Sequence, residues 1–415
     1  MRGLSIIATC GVALWGVACA ADVDGGPPVE PADPVEAARA YMDDASLRRA
    51  ALEESAAVAD TAYARLRLDH YSLTGMGVDD PAADWDLLPL RVDRPVRRLR
   101  VGPTADDPVP TPFAPEPIFG TGRGPENLDD YVAAGKQAFE LCPLEVDPRF
   151  GRLRRGADVA RSYGLTVTDE GEVRGAVEVR ADDGSWVVAL SCAACHSSAD
   201  DDGAYAPGLS NPEFELAELL GAAPFPTGTM DVSPDRLWNP VRPPDLRPLR
   251  YQERLHHTGN LTNGRVARMV RIETLITSRL NFRFRPDRRV VASMALYLES
   301  LADALPPPAW DGEGGTAFRS ACAGCHQGDA MAGPPVDVDV VGTDPAATVG
   351  SSRGTGAYRA PSLLGVTERR RILHDGSALT IEALLGLDGS EHRGHRYGTD
   401  LPRATRQAIV DFLGR

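Results

Sequence analysis

Apolar residues recur at helical spacing in four parts of the chain, which predicts a largely helical protein. The first part, Val35–His70, is rich in Ala, Leu, Arg and Glu and contains no Gly or Pro, so we predict one long helix or a pair of helices there. The other three parts are amphipathic and each predicts one helix: Leu128–Glu140, Arg285–Leu301 and residues 404–415.

Short runs of β-forming residues lie between the second and the third of these helices. Within Tyr163–Leu190 the runs GAVEVR and SWVVAL are separated by the turn sequence ADDG, which predicts two strands. RRLRV at Arg97–Val101 predicts a further short strand. The surrounding segment Pro81–Pro117 contains nine prolines, so we expect it to be extended or to act as a linker.

The N-terminal residues form an apolar run, Leu4–Ala20, that is too short to span a membrane comfortably. We predict that residues 1–20 are a secretory signal peptide and that the protein is exported, most simply to the periplasm. Two processing routes fit. The sequence around Cys19 resembles a small-residue cleavage site, and Gly16–Cys19 also resembles a lipobox, in which Cys19 would carry a lipid that tethers the chain to the membrane.

Length and charge restrict the remaining possibilities. With 43% hydrophobic and 25% charged residues, the chain has the composition of a typical globular protein. Its 415 residues are enough for two or three domains. A formal net charge of −15 argues against nucleic acid and anionic membrane surfaces as partners. A protein partner remains compatible with this charge.

Two five-residue motifs concentrate the reactive side chains. The chain has seven cysteines and eight histidines, yet the stretches SCAACHSS and ACAGCHQ each hold two cysteines and one histidine. The C-x-x-C-H spacing is the attachment signature of c-type haem, because two thiols on one helical turn reach the two vinyl groups of a porphyrin and the next histidine is held under the iron. We therefore predict two covalent haem c groups, one on Cys192, Cys195 and His196 and one on Cys322, Cys325 and His326.

Other uses of the cysteine pairs fit the sequence less well. The two pairs are too far apart in the chain for one compact zinc site, and a thioredoxin-like redox pair would occur once, beside a βαβ pattern. Cys142 is left over, and we expect it to be a buried thiol.

Four sequence elements occur twice and in the same order, which indicates a duplicated unit. Gly135–Phe139 matches Gly314–Phe318, each copy has a C-x-x-C-H motif, and each ends in a helix. A segment beginning P-x-L follows each motif, at Pro244 and at Pro361, and a histidine lies 13 residues after each of these prolines. The sequence therefore predicts a mainly α protein with three parts: a linker and helical N-terminal arm (21–126), a first haem-binding domain with a β-containing insertion (127–305) and a second haem-binding domain (306–415).

The second unit resembles a known family. Its sequence YRAPSLLGVTERRRILHDGSALTIEALL, at Tyr358–Leu385, and HRYGTDL, at His395–Leu401, are similar to the C-terminal cytochrome c domain of bacterial di-haem cytochrome c peroxidases and their relatives. The resemblance implies an α-helical cytochrome c fold for each unit, and so two tandem cytochrome c-like haem domains, together with periplasmic electron transfer. The chain departs from the family in lacking its F-W-D-G-R element and in having no methionine after Met331.

The sixth ligand of each iron decides the chemistry, because two strong ligands make an electron carrier whereas an open iron can react with a small oxidant. The repeat favours His257 for the first haem and His374 for the second. Other candidates are Met230, His256, Met269 and Met294 in the first unit and Met331, His392 and His395 in the second.

We expect a periplasmic di-haem cytochrome that exchanges electrons with redox proteins, such as a small soluble cytochrome. The alternative is a cytochrome c peroxidase-like oxidoreductase that reduces peroxide or another small oxidant. That activity also needs an acid–base group over the open iron, for which the candidates are Glu213, Glu215, Glu253 and Glu273.

Overall fold

The computed structural model describes residues 30–62, 64–65, 85–91, 94–108, 124–199, 203–222, 225–231, 237–279, 283–389 and 394–414. The predicted signal peptide with Cys19 and the candidate ligand His392 lie outside these residues, and Pro81–Pro117 is described only in part. Among the described residues, no helix is long and apolar enough to cross a membrane.

The described helices include every one predicted above. In chain order they are α1 Pro34–Asp43, α2 Ala45–Ala56, α3 Leu128–Leu141, α4 Ala157–Ser162, α5 Ala193–His196, α6 Leu216–Leu219, α7 Arg265–Arg279, α8 Arg288–Ser300, α9 Gly312–Ala321, α10 Val338–Val341, α11 Ala346–Val349, α12 Ile381–Leu384 and α13 Arg403–Leu413. The segment predicted as one helix or two is a pair at its N-terminal end. It divides at Asp44, whose carboxylate accepts hydrogen bonds from the main-chain N–H groups of Ser46 and Leu47 and so caps α2.

The strands are β1 Val96–Arg100, β2 Glu145–Val146, β3 Glu172–Arg180, β4 Trp186–Leu190, β5 Ser197–Ala199, β6 Tyr205–Pro207, β7 Arg254–Leu255, β8 Leu261–Thr262, β9 Gly333–Asp337 and β10 Ala357–Ala360. One sheet has the strand order β1-β3-β4-β2, and the other strands pair as β5-β6, β7-β8 and β9-β10. The three strands predicted from the sequence are confirmed as β1, β3 and β4, all antiparallel to their neighbours.

The expectation of a mainly α protein built from two tandem cytochrome c-like domains is wrong. The chain is 41% helical and 15% strand, which makes it a mixed α/β protein. The difference arises from the strands beyond the predicted insertion. The strand pairs β5-β6, β7-β8 and β9-β10 have strands of two to five residues, too short to show a clear alternation of apolar and polar positions.

The duplicated sequence appears as two similar helix crossings. In α3, a Cβ atom on Gly135 would lie 2.0 Å from the carbonyl O of Ser293 in α8. In α9, a Cβ atom on Gly314 would lie 2.0 Å from the carbonyl O of Ala408 in α13. One turn after each glycine a phenylalanine contacts an aromatic ring of the partner helix, with centroids 5.7 Å apart for Phe139–Tyr297 and 5.4 Å apart for Phe318–Phe412. Glycine is required at both crossings because the helix backbones touch.

The N-terminal arm forms part of the protein core. Tyr41 and Leu52 are almost completely buried, and they belong to one apolar cluster with Val270 of α7 and Val291 of α8. Burial of this apolar surface fixes α1 and α2 on α7 and α8.

Candidate functional site

The second C-x-x-C-H motif forms a tight turn at the end of α9. The N–H of Cys322 donates to the carbonyl O of Phe318 at 2.8 Å, and the N–H of His326 donates to the carbonyl O of Cys322 at 3.0 Å. Residues four apart in such a turn lie on one side of the chain. Cys322 and Cys325 carry free thiols, and both line the same cavity as His326.

This cavity has a volume of about 310 Å³, which is at the lower end of the range for small-molecule and cofactor sites, about 300–1,000 Å³. Most of its wall is apolar, and the principal apolar residues are Phe318, Leu363, Ile381, Leu384, Ile409 and Leu413. Its polar wall includes four histidines, His257, His326, His374 and His395, together with Arg242, Arg359 and Tyr358. The cavity therefore combines an apolar interior with a few ligating and charged groups.

His326 has the protonation expected of a metal ligand. Its Nδ1 lies 3.0 Å from the carbonyl O of Pro361 and 3.2 Å from that of Met331. Burial, and then the neighbouring His395, lower the pKa of His326 to about 4, so the ring is neutral at pH 7. A neutral imidazole whose Nδ1–H is held by a carbonyl keeps its Nε2 lone pair for a metal.

His395 is the second histidine near His326, with ring centroids 6.4 Å apart and ring planes at 56°. It follows Gly394, which has φ +83° and where a Cβ atom would lie 2.3 Å from the Cα of Thr343. His395 itself has φ +45°, and its N–H donates to the carbonyl O of Val341 at 3.0 Å. A left-handed glycine followed by a left-handed histidine brings this side chain to the cavity wall.

The two histidines predicted as sixth ligands also line this cavity, but oxygen atoms engage the Nε2 atom of each. The Nε2 of His374 is 3.0 Å from the hydroxyl of Tyr358, which itself donates to the carbonyl O of Asp344 at 2.6 Å. The hydroxyl of Tyr358 therefore accepts from His374. The Nε2 of His257 is 2.8 Å from the carbonyl O of Arg242. The assignment of these two histidines as ligands stays a prediction.

The first C-x-x-C-H motif forms the same turn, with the N–H of His196 donating to the carbonyl O of Cys192 at 3.1 Å. Strand β3 packs directly on it. Gly175 in β3 has φ +76°, and a Cβ atom there would lie 2.1 Å from the main-chain N of Ala194. The predicted β-containing insertion is thus in contact with the first motif.

The thiols of the first motif are in apolar surroundings. Burial, and then the nearby Cys142, raise the pKa of Cys192 to about 12, and burial raises that of Cys195 to about 12. Both therefore remain protonated at neutral pH. Cys142 is buried, as predicted, and the Sγ of Cys192 lies 3.8 Å from the Sδ of Met294. Of the other candidate ligands in the first unit, Met269 belongs to the apolar core around Tyr41.

The two motif histidines make equivalent hydrogen bonds. The Nδ1 of His196 lies 3.1 Å from the carbonyl O of Pro244, just as His326 lies 3.0 Å from that of Pro361. These are the two prolines that the sequence repeat aligns. Burial lowers the pKa of His196 to about 4, so it too is neutral at pH 7.

Sequence reasoning missed two arginines of the cavity, Arg242 and Arg359. Each stands two residues before one of these prolines, so the shared signal R-x-P-x-L at Arg242–Leu246 and Arg359–Leu363 would have identified them. Burial, and then Arg369, lower the pKa of both side chains to about 10, which leaves them cationic at neutral pH. Within the described ranges neither guanidinium has a carboxylate at ion-pair distance. Arg242 donates hydrogen bonds to the carbonyl O of Leu373 and the hydroxyl of Ser210, and Arg359 donates to the carbonyl O of Arg254.

Two of the candidate acid–base residues are engaged elsewhere. The fully buried Glu273 accepts hydrogen bonds from the hydroxyl of Tyr41 at 2.5 Å and from Nε of Arg288 at 3.1 Å. Glu213 is exposed and forms an ion pair of 3.3 Å with Arg371. Neither lines the cavity around His326.

Across the part of the chain that is described, no group of three or more His, Cys, Asp or Glu side chains is arranged to hold a metal ion without a cofactor. Comparison with known proteins finds no protein-family model and no curated protein that matches this chain.

Proposed function

We propose that the chain is a di-haem c-type cytochrome that transfers electrons between redox proteins outside the cytoplasm. The observation that carries the proposal is the set of groups in one cavity: two thiols, a neutral histidine whose Nδ1 is bound to carbonyls, and a second histidine ring 6.4 Å from the first. When bound, the haem iron supplies one-electron redox chemistry. The chain supplies covalent attachment, ligands and exclusion of water.

The residues of the second motif fit a haem. Cys322 and Cys325 would hold the porphyrin, His326 would be the proximal ligand, and the apolar wall would keep water from the iron. A haem also carries two propionate groups, and a buried carboxylate needs a cationic or hydrogen-bonding partner. Arg242 and Arg359 line the cavity as cations, and among the described residues neither has a carboxylate at ion-pair distance, so they are suited to hold the propionates.

In place of His374, the candidate from the repeat, whose Nε2 is engaged by the hydroxyl of Tyr358, we propose His395 as the second histidine that would hold this iron. The ring centroids of His326 and His395 lie 6.4 Å apart, which would leave room for one metal ion between the two rings. Held by both histidines, the iron would have no position for peroxide, which favours electron transfer over the peroxidase-like alternative.

Cys192, Cys195 and His196 would hold the other haem in the same way, because their turn and the Pro244 carbonyl repeat the second site. The sixth ligand of this haem stays a prediction, because His257, the candidate from the repeat, lines the cavity around His326. Export to the periplasm belongs to the same proposal, since the apolar run at Leu4–Ala20 matches a signal peptide and covalent haem suits a compartment from which a dissociable cofactor would be lost.

Expression of the full chain in a bacterium that matures c-type cytochromes tests the proposal. Intact-mass analysis of the purified protein should give two haems per chain and loss of the N-terminal residues at or near Cys19. The double variant Cys322→Ser/Cys325→Ser should keep one haem, and so should Cys192→Ser/Cys195→Ser. Cys142→Ser is the matched control and should keep both. A folded, exported wild-type protein without covalent haem would contradict the proposal.

A further inference from the structure

A buried path of hydrogen bonds and main-chain links joins the two motif histidines. The path begins at the carbonyl of Pro244, which contacts His196, and continues through the next residue, Asp245. The Oδ2 of Asp245 accepts from the Nε of Arg369 at 2.8 Å. The NH1 group of Arg369 donates to the carbonyl O of Ser362 at 2.9 Å. Ser362 directly follows Pro361, whose carbonyl contacts His326.

The Asp245–Arg369 ion pair at the centre of this path is almost inaccessible to water. The side chains of Asp245 and Arg369 are 3% and 4% exposed. Asp245 has a second partner, Arg247, whose NH2 lies 2.9 Å from Oδ2. Burial alone would raise the pKa of Asp245, but Arg369 and Arg247 together hold it below its ordinary value. Screening by salt is weak at such a position, so the charges act on both histidines.

Resting on the haem function proposed above, we infer that the Asp245–Arg369 pair couples the two haem sites and sets both reduction potentials. The hydrogen bond at Nδ1 of a ligating histidine tunes its strength as a ligand, and here the carbonyl acceptors of both histidines belong to segments held by one ion pair. The two side chains are positioning residues. Both line the cavity around His326, and they would act on the two histidines through the carbonyls of Pro244 and Pro361.

The sign of the effect follows from charge. Asp245→Asn leaves Arg369 unpaired, and the excess positive charge disfavours ferric iron, so both reduction potentials should rise. Arg369→Gln removes one positive charge from beside Asp245, so both should fall. We expect each change to alter the equilibrium constant for reduction about tenfold, which is about 59 mV for one electron. The double variant Asp245→Asn/Arg369→Gln should return both potentials toward those of the wild type.

The test is a redox titration of the holoprotein in which each ferric haem is followed by its own EPR signal. Arg49→Gln, which breaks the exposed Arg49–Glu53 pair on α2, is the control and should leave both potentials unchanged. Shifts confined to one haem, or shifts of the same sign in both single variants, would overturn the inference. Haem content is measured first, so that a wild-type protein without two haems refutes the proposed function and not the coupling.

The wild-type protein provides a second readout if the single variants do not fold. Reduction of one haem changes the charge at one end of the path through Asp245 and Arg369. The other haem should therefore titrate with a curve broader than a one-electron Nernst curve. Two independent Nernst curves in the wild type would count against coupling.

Discussion

His395 occupies a backbone conformation that few side chains adopt. Its φ of +45° and that of Gly394, +83°, direct this segment toward the wall of the cavity that contains His326. Such a conformation persists when the surroundings stabilise it, and here a hydrogen bond to Val341 and contact with Thr343 do so. A ligand role for His395 would account for this local geometry.

Under the proposed function, replacing His395 should change the haem of the second site. We expect His395→Ala to convert the second-site haem from low spin to high spin, and His395→Met to keep it low spin at a higher potential, because methionine is the weaker donor. His374→Gln, which changes the ring that donates to Tyr358, is the comparison and should leave the spin state unchanged. Optical and EPR spectra of the ferric protein report this. If His374→Gln alone produced a high-spin haem, His374 would be the ligand.

At the residue scale, the C-x-x-C-H motif predicts its own local structure, but the sequence does not identify which distant residue is the second ligand. C-x-x-C-H is a contiguous signal, so its turn and the position of its histidine follow from five residues. The repeat correctly aligned Pro244 with Pro361, although the backbone carbonyls that matter carry no side-chain signature. His395 was one candidate among several because its position depends on a left-handed turn, which the single residue type Gly394 does not specify.

Among the secondary-structure elements, the two helix crossings leave the least space for a side chain. Gly135 and Gly314 each face a carbonyl of the partner helix at a distance that no Cβ atom tolerates. Because both crossings flank a C-x-x-C-H motif in the chain, displacement of a helix would also disturb the neighbouring motif.

We expect Gly314→Ala and Gly135→Ala each to lower the free energy of unfolding by about 1–3 kcal/mol, since the helices must separate to admit a methyl group. Gly151→Ala is the matched control. Its added Cβ atom meets nothing within 4 Å, so it should be neutral or stabilising by up to about 1 kcal/mol. Urea unfolding of the holoproteins measures the difference. Equal midpoints for all three variants would show that the crossings are not tightly packed.

Most of the elements that the sequence located are long, but length alone was not sufficient, because the 15-residue helix α7 was not predicted. The sequence periodicity located α3, α8 and α13 and the strands of the insertion, because each has enough residues to show its period. The hairpins β5-β6 and β7-β8 are made of two or three residues per strand, and tertiary contacts determine them. The mainly α expectation failed for this reason.

For the molecule as a whole, the N-terminal arm closes over a buried ionic network. Tyr41 of α1 and Arg48 of α2 meet Glu273 of α7 and Arg288 of α8 through hydrogen bonds, and Asp86 pairs with both arginines. The arm therefore contributes a hydroxyl and a guanidinium to a polar cluster inside an otherwise apolar core, and its docking depends on the charge state of that cluster.

Glu273 should make stability depend on pH. Burial raises its pKa from 4.5 to about 7 in the folded protein, so the folded state binds the proton more tightly than the unfolded state. The stability that this proton contributes is present below pH 4.5 and is lost as the pH rises through 7. The free energy of unfolding of the wild type, relative to Glu273→Gln, should thus fall by about 2 kcal/mol between pH 5 and pH 8.

Denaturant unfolding at several pH values measures this difference. Glu53→Gln, an exposed change on α2, should give an offset from the wild type that stays constant with pH. A constant offset for Glu273→Gln as well would mean that Glu273 is ionised throughout this range.

The carbonyls of Pro244 and Pro361 have a consequence for how the protein can evolve. A point mutation changes a side chain and leaves the main-chain oxygen in place. Most single-base changes in the gene should therefore preserve the hydrogen bonds between these carbonyls and the two motif histidines. Insertions and deletions are a different hazard, because one residue gained or lost near either proline would move the carbonyl out of reach. Lineages of this protein should therefore tolerate drift in the side chains around these contacts while keeping the lengths of the adjacent segments constant.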